Sequence, residues 1–294
     1  MPAQPKSFGP TDALLLLMAT IWGINYSAVK VAGRAFGSVP FTWMRVLIAT
    51  VILVTVALLQ RKDWPRKPDV LKLVALGAIG NGLYQILFVV GVSHTRVGSA
   101  ALILAAAPAF IALISIASGV EAVSMRSWAG IALSIAGVGV VMLGSATGGH
   151  TGGDTALGVI IVFFGVICWS GYSVGLKPLT QHIDPVQLSA LTLVGGMIPL
   201  AFLTPWALPP IVSSHASLIA WGCVLYSSVG SMAIAYLFWY RGIRVLGPTR
   251  ASVYGNLQPI VAILTGWVAL AEAPTIWQIA GTVAIIGGIF LTRA

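Results

Sequence analysis

Residues 253–266 read VYGNLQPIVAILTG. The stretch lies inside a run apolar enough to cross a bilayer, yet it carries Tyr254, Asn256, Gln258 and Pro259 near its middle. Amides and a helix-breaker are costly in hydrocarbon and are tolerated where they face protein or a wet cavity. Working outward, a shift of 151 residues lays Pro259 on Pro108 and Glu272 on Glu121, the chain's only two glutamates. The same shift pairs Gly91 with Gly242, Ala122 with Ala273, Gly130 with Gly281 and Gly137 with Gly288. Coincident Ala and Gly are common in an apolar chain; coincident mid-span prolines and sole glutamates are not. Upstream, WGINYSAVK (22–30) is echoed by WSGYSVGLK (169–177) at an offset of 147, so insertions separate the two matching blocks. The chain therefore reads as an internal duplication.

Composition sets the class. The 294 residues are 58% hydrophobic and 8% charged, with a mean hydropathy of +0.96. A soluble domain carries about 25% charged residues, so lipid must cover this one. The net charge of +9 does not point to nucleic acid, because the basic residues sit between apolar runs and form no continuous stripe. Cys168 and Cys223 each lie within an apolar run without CxxC or Cys/His neighbours, and read as small buried hydrophobes. The first apolar run follows a short tail with one lysine and no A-x-A-like cleavage signal, and reads as an uncleaved first span.

Ten spans are expected, at roughly 13–33, 40–60, 70–92, 97–119, 127–147, 156–178, 185–204, 216–240, 247–270 and 275–292. The runs are continuously apolar, which favours helices over an alternating barrel. The loop RKDWPRKPDVLK (61–72) is placed in the cytoplasm; twelve of the 16 Lys and Arg then fall inside, and both termini are cytoplasmic. The fold class is thus an all-α integral membrane protein of ten transmembrane helices. The first five-helix repeat is 1–147, a Gly-rich linker is 148–155, and the second repeat is 156–294. Five is odd, so the second copy is inverted. Inverted repeats recur in secondary transporters, with the substrate site near the midplane between them. The alternative is duplication without a transport role; channels share the architecture.

The polar groups gather at one depth. Trp22, Asn25 and Tyr26 in span 1 fall at i, i+3, i+4, and so do Trp169, Tyr172 and Ser173 in span 6. Span 3 carries Asn81, Tyr84, Gln85 and Phe88 on one stripe. Helical periodicity puts Tyr254 and Gln258 on one face of span 9, with Ser252 and Asn256 on nearly the opposite face. Either these groups line a common cavity or they bond neighbouring helices. Pro108 and Pro259 displace the carbonyls of Leu104 and Gly255 and are expected to bend their spans as hinges. Tyr236, Trp239 and Tyr240 near the end of span 8 fit an interfacial belt or a cavity wall equally; Phe41 and Trp43 fit the belt. In span 10, Ala280, Ala284 and Gly288 form a small-residue stripe, suited to packing within the chain or to a dimer.

The charges narrow the mechanism. Arg45 either snorkels outward or fixes a partner or a substrate carboxylate. Lys30 and Lys177, equivalent by the repeat, either snorkel or make gate contacts. No Asp, Glu or His lies in mid-span, which disfavours a buried proton relay and favours facilitated movement. No Walker A sequence is present, and no nucleophile, base or metal cluster suggests an enzyme. No cofactor or metal is expected.

WGINYSAVK, PFTWMRVLIA (40–49), TRVGSAALILAAAPAF (95–110), GVEAVSMRSWAGIALSIAGVGVV (119–141) and AEAPTIWQIAG (271–281) resemble, in that order, the EamA-type branch of the drug/metabolite transporter superfamily. In length and aromatic core the chain is most similar to the YddG-like amino-acid exporters. The resemblance implies an inner-membrane carrier exporting amino acids or related metabolites by alternating access. It also implies a central cavity between spans 1–4 and 6–9. Neutral amides, hydroxyls and rings suit a zwitterionic or amphipathic cargo, which places aromatic and other neutral amino acids first and drugs or other metabolites second. The partners expected are such a small molecule and membrane lipid, no nucleic acid, with the protein a monomer or homodimer.

Overall fold

The computed structural model describes residues 9–118, 128–130, 132–133, 136–137, 139–140, 143, 155–212 and 216–293. Most of the expected fifth span, Glu121 and most of the linker lie outside the described residues. The described chain is helical: α1 (Pro10–Phe36), α2 (Ser38–Leu59), α3 (Lys67–Ser93), α4 (Val97–Ala117), α5 (Ala156–Thr180), α6 (Pro185–Ala201), α7 (Thr204–Val212), α8 (Leu218–Leu246), α9 (Pro248–Tyr254), α10 (Leu257–Leu270) and α11 (Ile276–Arg293). Six of these, α1 to α5 and α8, are long and apolar enough to cross a membrane. Outward-facing Leu17, Val51, Phe164 and Val268 give the bundle the apolar exterior that lipid requires.

Local chemistry sets where the helices begin and turn. Pro10, Pro68 and Pro185 occupy first-turn positions, where a missing N–H is harmless and φ is already helical. Asp184 caps α6 by accepting from Val186 N–H, 2.9 Å. Gly37 and Gly247 adopt φ of +87° and +85°, a region open to glycine at little cost, and each reverses the chain between consecutive helices. The α8 helix outruns its apolar segment, continuing past Arg241 to Leu246. Tyr240 and Ile243 stay buried on its inner face while Arg241 and Arg244 face out, so packing prolongs the helix after hydropathy has fallen.

Two departures from regular helix stand out. Residues 78–83 of α3 and 226–234 of α8 form wider, π-type turns. Helix α4 is interrupted at Ala105–Ala106, and α9 is separated from α10 at Gly255–Asn256, with the following halves starting at Ala107 and Leu257, just before Pro108 and Pro259. Each proline removes one donor and displaces one carbonyl.

Two ends of the bundle are tied by polar contacts. At one, Lys62 pairs with Asp184, His182 with Asp69 at 3.3 Å, and Tyr254 Oη donates to Asp12 Oδ1. At the other, Lys30 pairs with Glu272 and Thr155 N–H donates to His94 O at 3.0 Å. Between them α3 and α6 cross at the closest approach glycine allows. A Cβ on Gly77 would lie 2.0 Å from Thr192 O, and one on Gly195 would lie 2.1 Å from Val74 O. Phe41, expected in an interfacial belt, is fully buried, because its face of α2 turns inward beneath Arg45. Trp43 is half-buried and donates from Nε1 to Thr204 Oγ1, 3.1 Å.

Candidate functional site

A chamber of about 60 Å³ lies midway between the two tied ends. Trp22, Asn25 and Tyr26 reach it from α1, Arg45 from α2, and Tyr84, Gln85 and Phe88 from α3. The break in α4 contributes Leu104, Ala105 and Pro108; α5 contributes Trp169; α8 contributes Ser231, Tyr236 and Trp239. The interruption between α9 and α10 completes the wall with Ser252, Gly255, Asn256 and Gln258. Both helix breaks therefore open onto the same space, as irregular backbone at membrane depth must.

One side is aromatic. The Trp22 ring centroid lies 5.6 Å from that of Trp169, 5.7 Å from Tyr236 and 5.8 Å from Trp239. Tyr84 lies 5.1 Å from Trp169, and Tyr26 lies 5.2 Å from Phe88. The rings are held in place by hydrogen bonds. Trp22 Nε1 donates to Ser231 O at 3.0 Å, and Gln85 Nε2 donates to Tyr236 Oη at 2.7 Å. Ser227 Oγ donates to Asn25 Oδ1 at 2.7 Å. The rings largely fill the chamber: its volume is well below the ~300 Å³ of a small-molecule pocket, so any cargo larger than a few waters requires them to part.

Polar clusters lie toward both ends of the chamber. Toward the Lys62–Asp184 end, Asn81 Nδ2 donates to Tyr172 Oη at 3.3 Å, Tyr172 and Tyr240 share a hydroxyl bond, and Thr192 bonds Tyr240 at 3.3 Å. Toward the other end, Ser27 Oγ donates to Thr265 Oγ1 at 3.1 Å. Beyond it, Lys30 Nζ bonds Glu272 Oε1 at 2.5 Å and Thr95 O at 2.6 Å, while Val97 N–H donates to Glu272 Oε2 at 2.8 Å.

Of the residues expected in a cavity, Trp22, Asn25, Tyr26, Tyr84, Gln85, Phe88, Trp169 and Gln258 line the chamber. Asn81 and Tyr172 belong to the cluster beneath it, and Ser173 turns back to bond Trp169 O at 2.7 Å. Tyr254 lies at the bundle's end, bonded to Asp12. Pro108 lines the chamber and Pro259 lies buried just behind it. Arg45 does not snorkel: it is 2% exposed and lines the chamber. Lys30 belongs to the buried ion pair, and Lys177 sits half-buried in the last turn of α5. Ser231 has no stripe in the sequence to mark it, while Ser252 and Asn256, from the face of span 9 opposite Tyr254 and Gln258, join Gln258 in the wall. Tyr236 and Trp239 line the chamber and resolve the choice between belt and wall; the shift that matches the prolines carries Gln85 onto Tyr236 and Phe88 onto Trp239.

Comparison with known proteins assigns the whole chain. The EamA-like transporter family matches residues 9–143 and again residues 156–294. This chain belongs to that family. It is a multi-pass membrane transporter of the EamA type within the drug/metabolite transporter superfamily. An uncharacterized transporter of Archaeoglobus fulgidus is 26% identical over 279 residues, covering 95% of this chain and 96% of that protein. A probable terminal-alkyne amino-acid exporter of Streptantibioticus cattleyicolor is also 26% identical, covering 94% of this chain and 91% of its own. An uncharacterized inner membrane transporter of Escherichia coli, YedA, is 26% identical over 87% of this chain and 82% of its own. A solved crystal structure superposes with a TM-score of 0.68 at 18% identity, covering 96% of this chain and 97% of that one; the likeness is one of fold.

Proposed function

We propose that this EamA-family chain is an inner-membrane secondary carrier that exports small neutral metabolites, with aromatic and other neutral amino acids as its cargo. Two inverted five-helix halves, 1–147 and 156–294, would expose the chamber alternately to either side in gradient-driven uniport. The observation that carries this reading is the pairing of residues across the repeat inside the chamber. Its lining contains Ala101 with Ser252, Leu104 with Gly255, Ala105 with Asn256 and Ala107 with Gln258, all at the shift that also relates Gln85 to Tyr236. Equivalent residues of two halves related by a two-fold axis can touch only on that axis. Gln85 bonds Tyr236, and Trp22 meets Trp169; both contacts support an axis through the chamber. The wider turns of α3 and α8 and the two proline breaks recur within three residues of the same shift. A site between inverted repeats, built on broken helices, is the arrangement from which rocking carriers work. Amino-acid cargo draws support from the neutral, aromatic lining and from the name of the Streptantibioticus relative.

The test is a proteoliposome panel of radiolabelled amino acids with and without a pH gradient. Saturable uptake accelerated by trans substrate, and indifferent to the gradient, is expected. Non-saturable flux would indicate a channel, and gradient-dependent accumulation would replace uniport with proton coupling.

A further inference from the structure

Among the described residues Arg45 has no acidic partner. Its Nε donates to Met232 Sδ at 3.3 Å, and its guanidinium carbon lies 5.5 Å from the Phe41 ring centroid and 5.7 Å from that of Phe88. Nη1 is buried and meets no acceptor. Among the described residues no Asp or Glu lines the chamber, and no carboxylate lies within ion-pair distance of Arg45. A thioether and two ring faces compensate a buried cation weakly, whereas taking an ion out of water is penalised heavily. A hydrophobic side chain at this position would pack at lower cost, so the charge calls for a functional explanation.

The same chamber holds the complementary deficiency. Gln85 is 2% exposed, and with its Nε2 committed to Tyr236 its Oε1 is buried without a donor; Asn256 Oδ1 is likewise buried and unpartnered. A guanidinium with an unpartnered Nη1, lining the same chamber as amide oxygens lacking donors, is complementary to a single molecule that brings both a carboxylate and an ammonium group. A lone guanidinium suits a singly charged planar carboxylate, which it grips through two parallel N–H groups. A phosphate dianion would call for further cations, and among the described residues no other Lys or Arg lines the chamber.

Resting on the reading of this chamber as the transport site, the geometry points to Arg45 as its specificity-determining residue. Arg45 receives the cargo's carboxylate while Gln85 and Asn256 accept from its ammonium. Cargo is thereby confined to molecules bearing a carboxylate, with α-amino acids preferred. Decarboxylated amines of the same shape are rejected, because they leave Arg45 unpaired and bring a second cation beside it.

The test uses the full chain and three probes of one shape: phenylalanine, 3-phenylpropionate and phenethylamine. Binding is followed by thermal shift in detergent, and counterflow is followed in proteoliposomes. Phenylalanine should bind best, phenylpropionate more weakly, and phenethylamine least. Arg45→Gln should weaken phenylalanine binding roughly 30-fold or more, and Arg45→Lys should retain part of it. The wild-type ranking needs no variant, so a misfolded Arg45→Gln protein would not shield the proposal. Phenethylamine binding as tightly as phenylalanine would overturn it. So would undiminished phenylalanine affinity in Arg45→Gln, or no binding of any probe at millimolar concentration. Arg45-dependent binding without counterflow would uphold the residue's role and sink the carrier. Counterflow of phenethylamine at the rate of phenylalanine would keep the carrier and sink the carboxylate rule.

Discussion

Glu272→Gln should open one end of the bundle. The Glu272 carboxylate takes Lys30 Nζ at 2.5 Å on one oxygen and Val97 N–H at 2.8 Å on the other, while Lys30 also donates to Thr95 O at 2.6 Å. This clamp joins α1, the start of α4 and the α10–α11 turn, and its side chains are only 7% and 13% exposed. At an effective dielectric constant of ~20 the bare attraction is about 7 kcal/mol, much of it offset by desolvation. Removing one member of a buried pair costs ~3–5 kcal/mol, because the other charge is stranded. The glutamine amide has one acceptor oxygen, which can keep either Val97 N–H or Lys30 while its NH2 faces the other donor; that one retained bond places this variant at ~3 kcal/mol. If the clamp forms only when this end is shut, the open population rises about 100-fold, at ~1.4 kcal/mol per decade. The reporter is Ser27→Cys, just inside the clamp, in a Cys168→Ala/Cys223→Ala background, read by its rate of reaction with a polar maleimide. Expected results are a rise of about two decades in Glu272→Gln and a near-parental rate in Lys30→Met/Glu272→Met, where no charge is stranded. A second reporter, Ser189→Cys toward the opposite end, should slow or stay unchanged. A Ser27→Cys rate within threefold of the parent, in monodisperse Glu272→Gln protein, would refute the clamp.

Three further outcomes follow from the packing. Trp169→Ala or Tyr84→Ala, each removing a ring from the chamber wall, should reduce proteoliposome flux at least tenfold without loss of membrane insertion; unaltered flux in both would place transport elsewhere. Gly77→Ala, whose Cβ would sit 2.0 Å from the Thr192 carbonyl, should destabilise the bundle by ~1–3 kcal/mol or more and lower its melting temperature, while Gly171→Ala, with open space around it, should not. Burial raises the Asp184 carboxyl, but the Lys62 and Val186 bonds outweigh it and hold the group below its usual range. Its contribution is therefore complete above the unfolded value of about 3.9 and is lost as pH falls through the lowered folded value. Because Lys62 is half-exposed, the acid-side loss should not exceed ~1 kcal/mol; Asp184→Asn should abolish that loss in melting curves taken from pH ~6 to ~3.

Much of this arrangement was legible in residue spacing. The stripes of spans 1 and 3 reach the chamber because a regular helix keeps i, i+3 and i+4 on one face, and Trp22, Asn25, Tyr26, Tyr84, Gln85 and Phe88 all sit there. Span 9 departed from its helical period for the reason its proline announces. The chain turns at Gly255–Asn256, which resets the phase, so Ser252, Asn256 and Gln258 share the chamber while Tyr254 bonds Asp12. Phe41 departs from the belt expectation, and the inner face of α8 is open to two readings in the sequence, for a different reason. Aromatic residues near a span end look alike whether they meet headgroups or a neighbouring helix, and only the partner helix decides. The clamp was half visible: Lys30 carries its own sequence signal, but Glu272 lies 242 residues away and only folding brings the two together.

A chamber filled by its own rings is energetically suited to a carrier. Each aromatic pair contributes ~0.5–1.5 kcal/mol beyond burial, and Trp169 alone makes such contacts with Trp22, Tyr84, Tyr172, Tyr236 and Trp239. An aromatic cargo entering this cluster exchanges ring–ring contacts for ring–cargo contacts of similar strength. The exchange costs little, and it also gains little, so the cargo is not trapped. Selectivity must then come from groups that lose no protein contact when the cargo arrives, namely the Arg45 nitrogen and the amide oxygens that have no partner within the protein. By this argument, filling the chamber permanently should be worse than emptying it. Ala105→Phe, which adds a ring at the α4 break without removing any wall residue, should abolish flux of every cargo, and because the ring overfills a space of about 60 Å³ it should also cost ~1–3 kcal/mol of stability. Reconstitution of that variant beside Trp169→Ala separates the two mechanisms: retained flux in Ala105→Phe would show that cargo does not pass through this space.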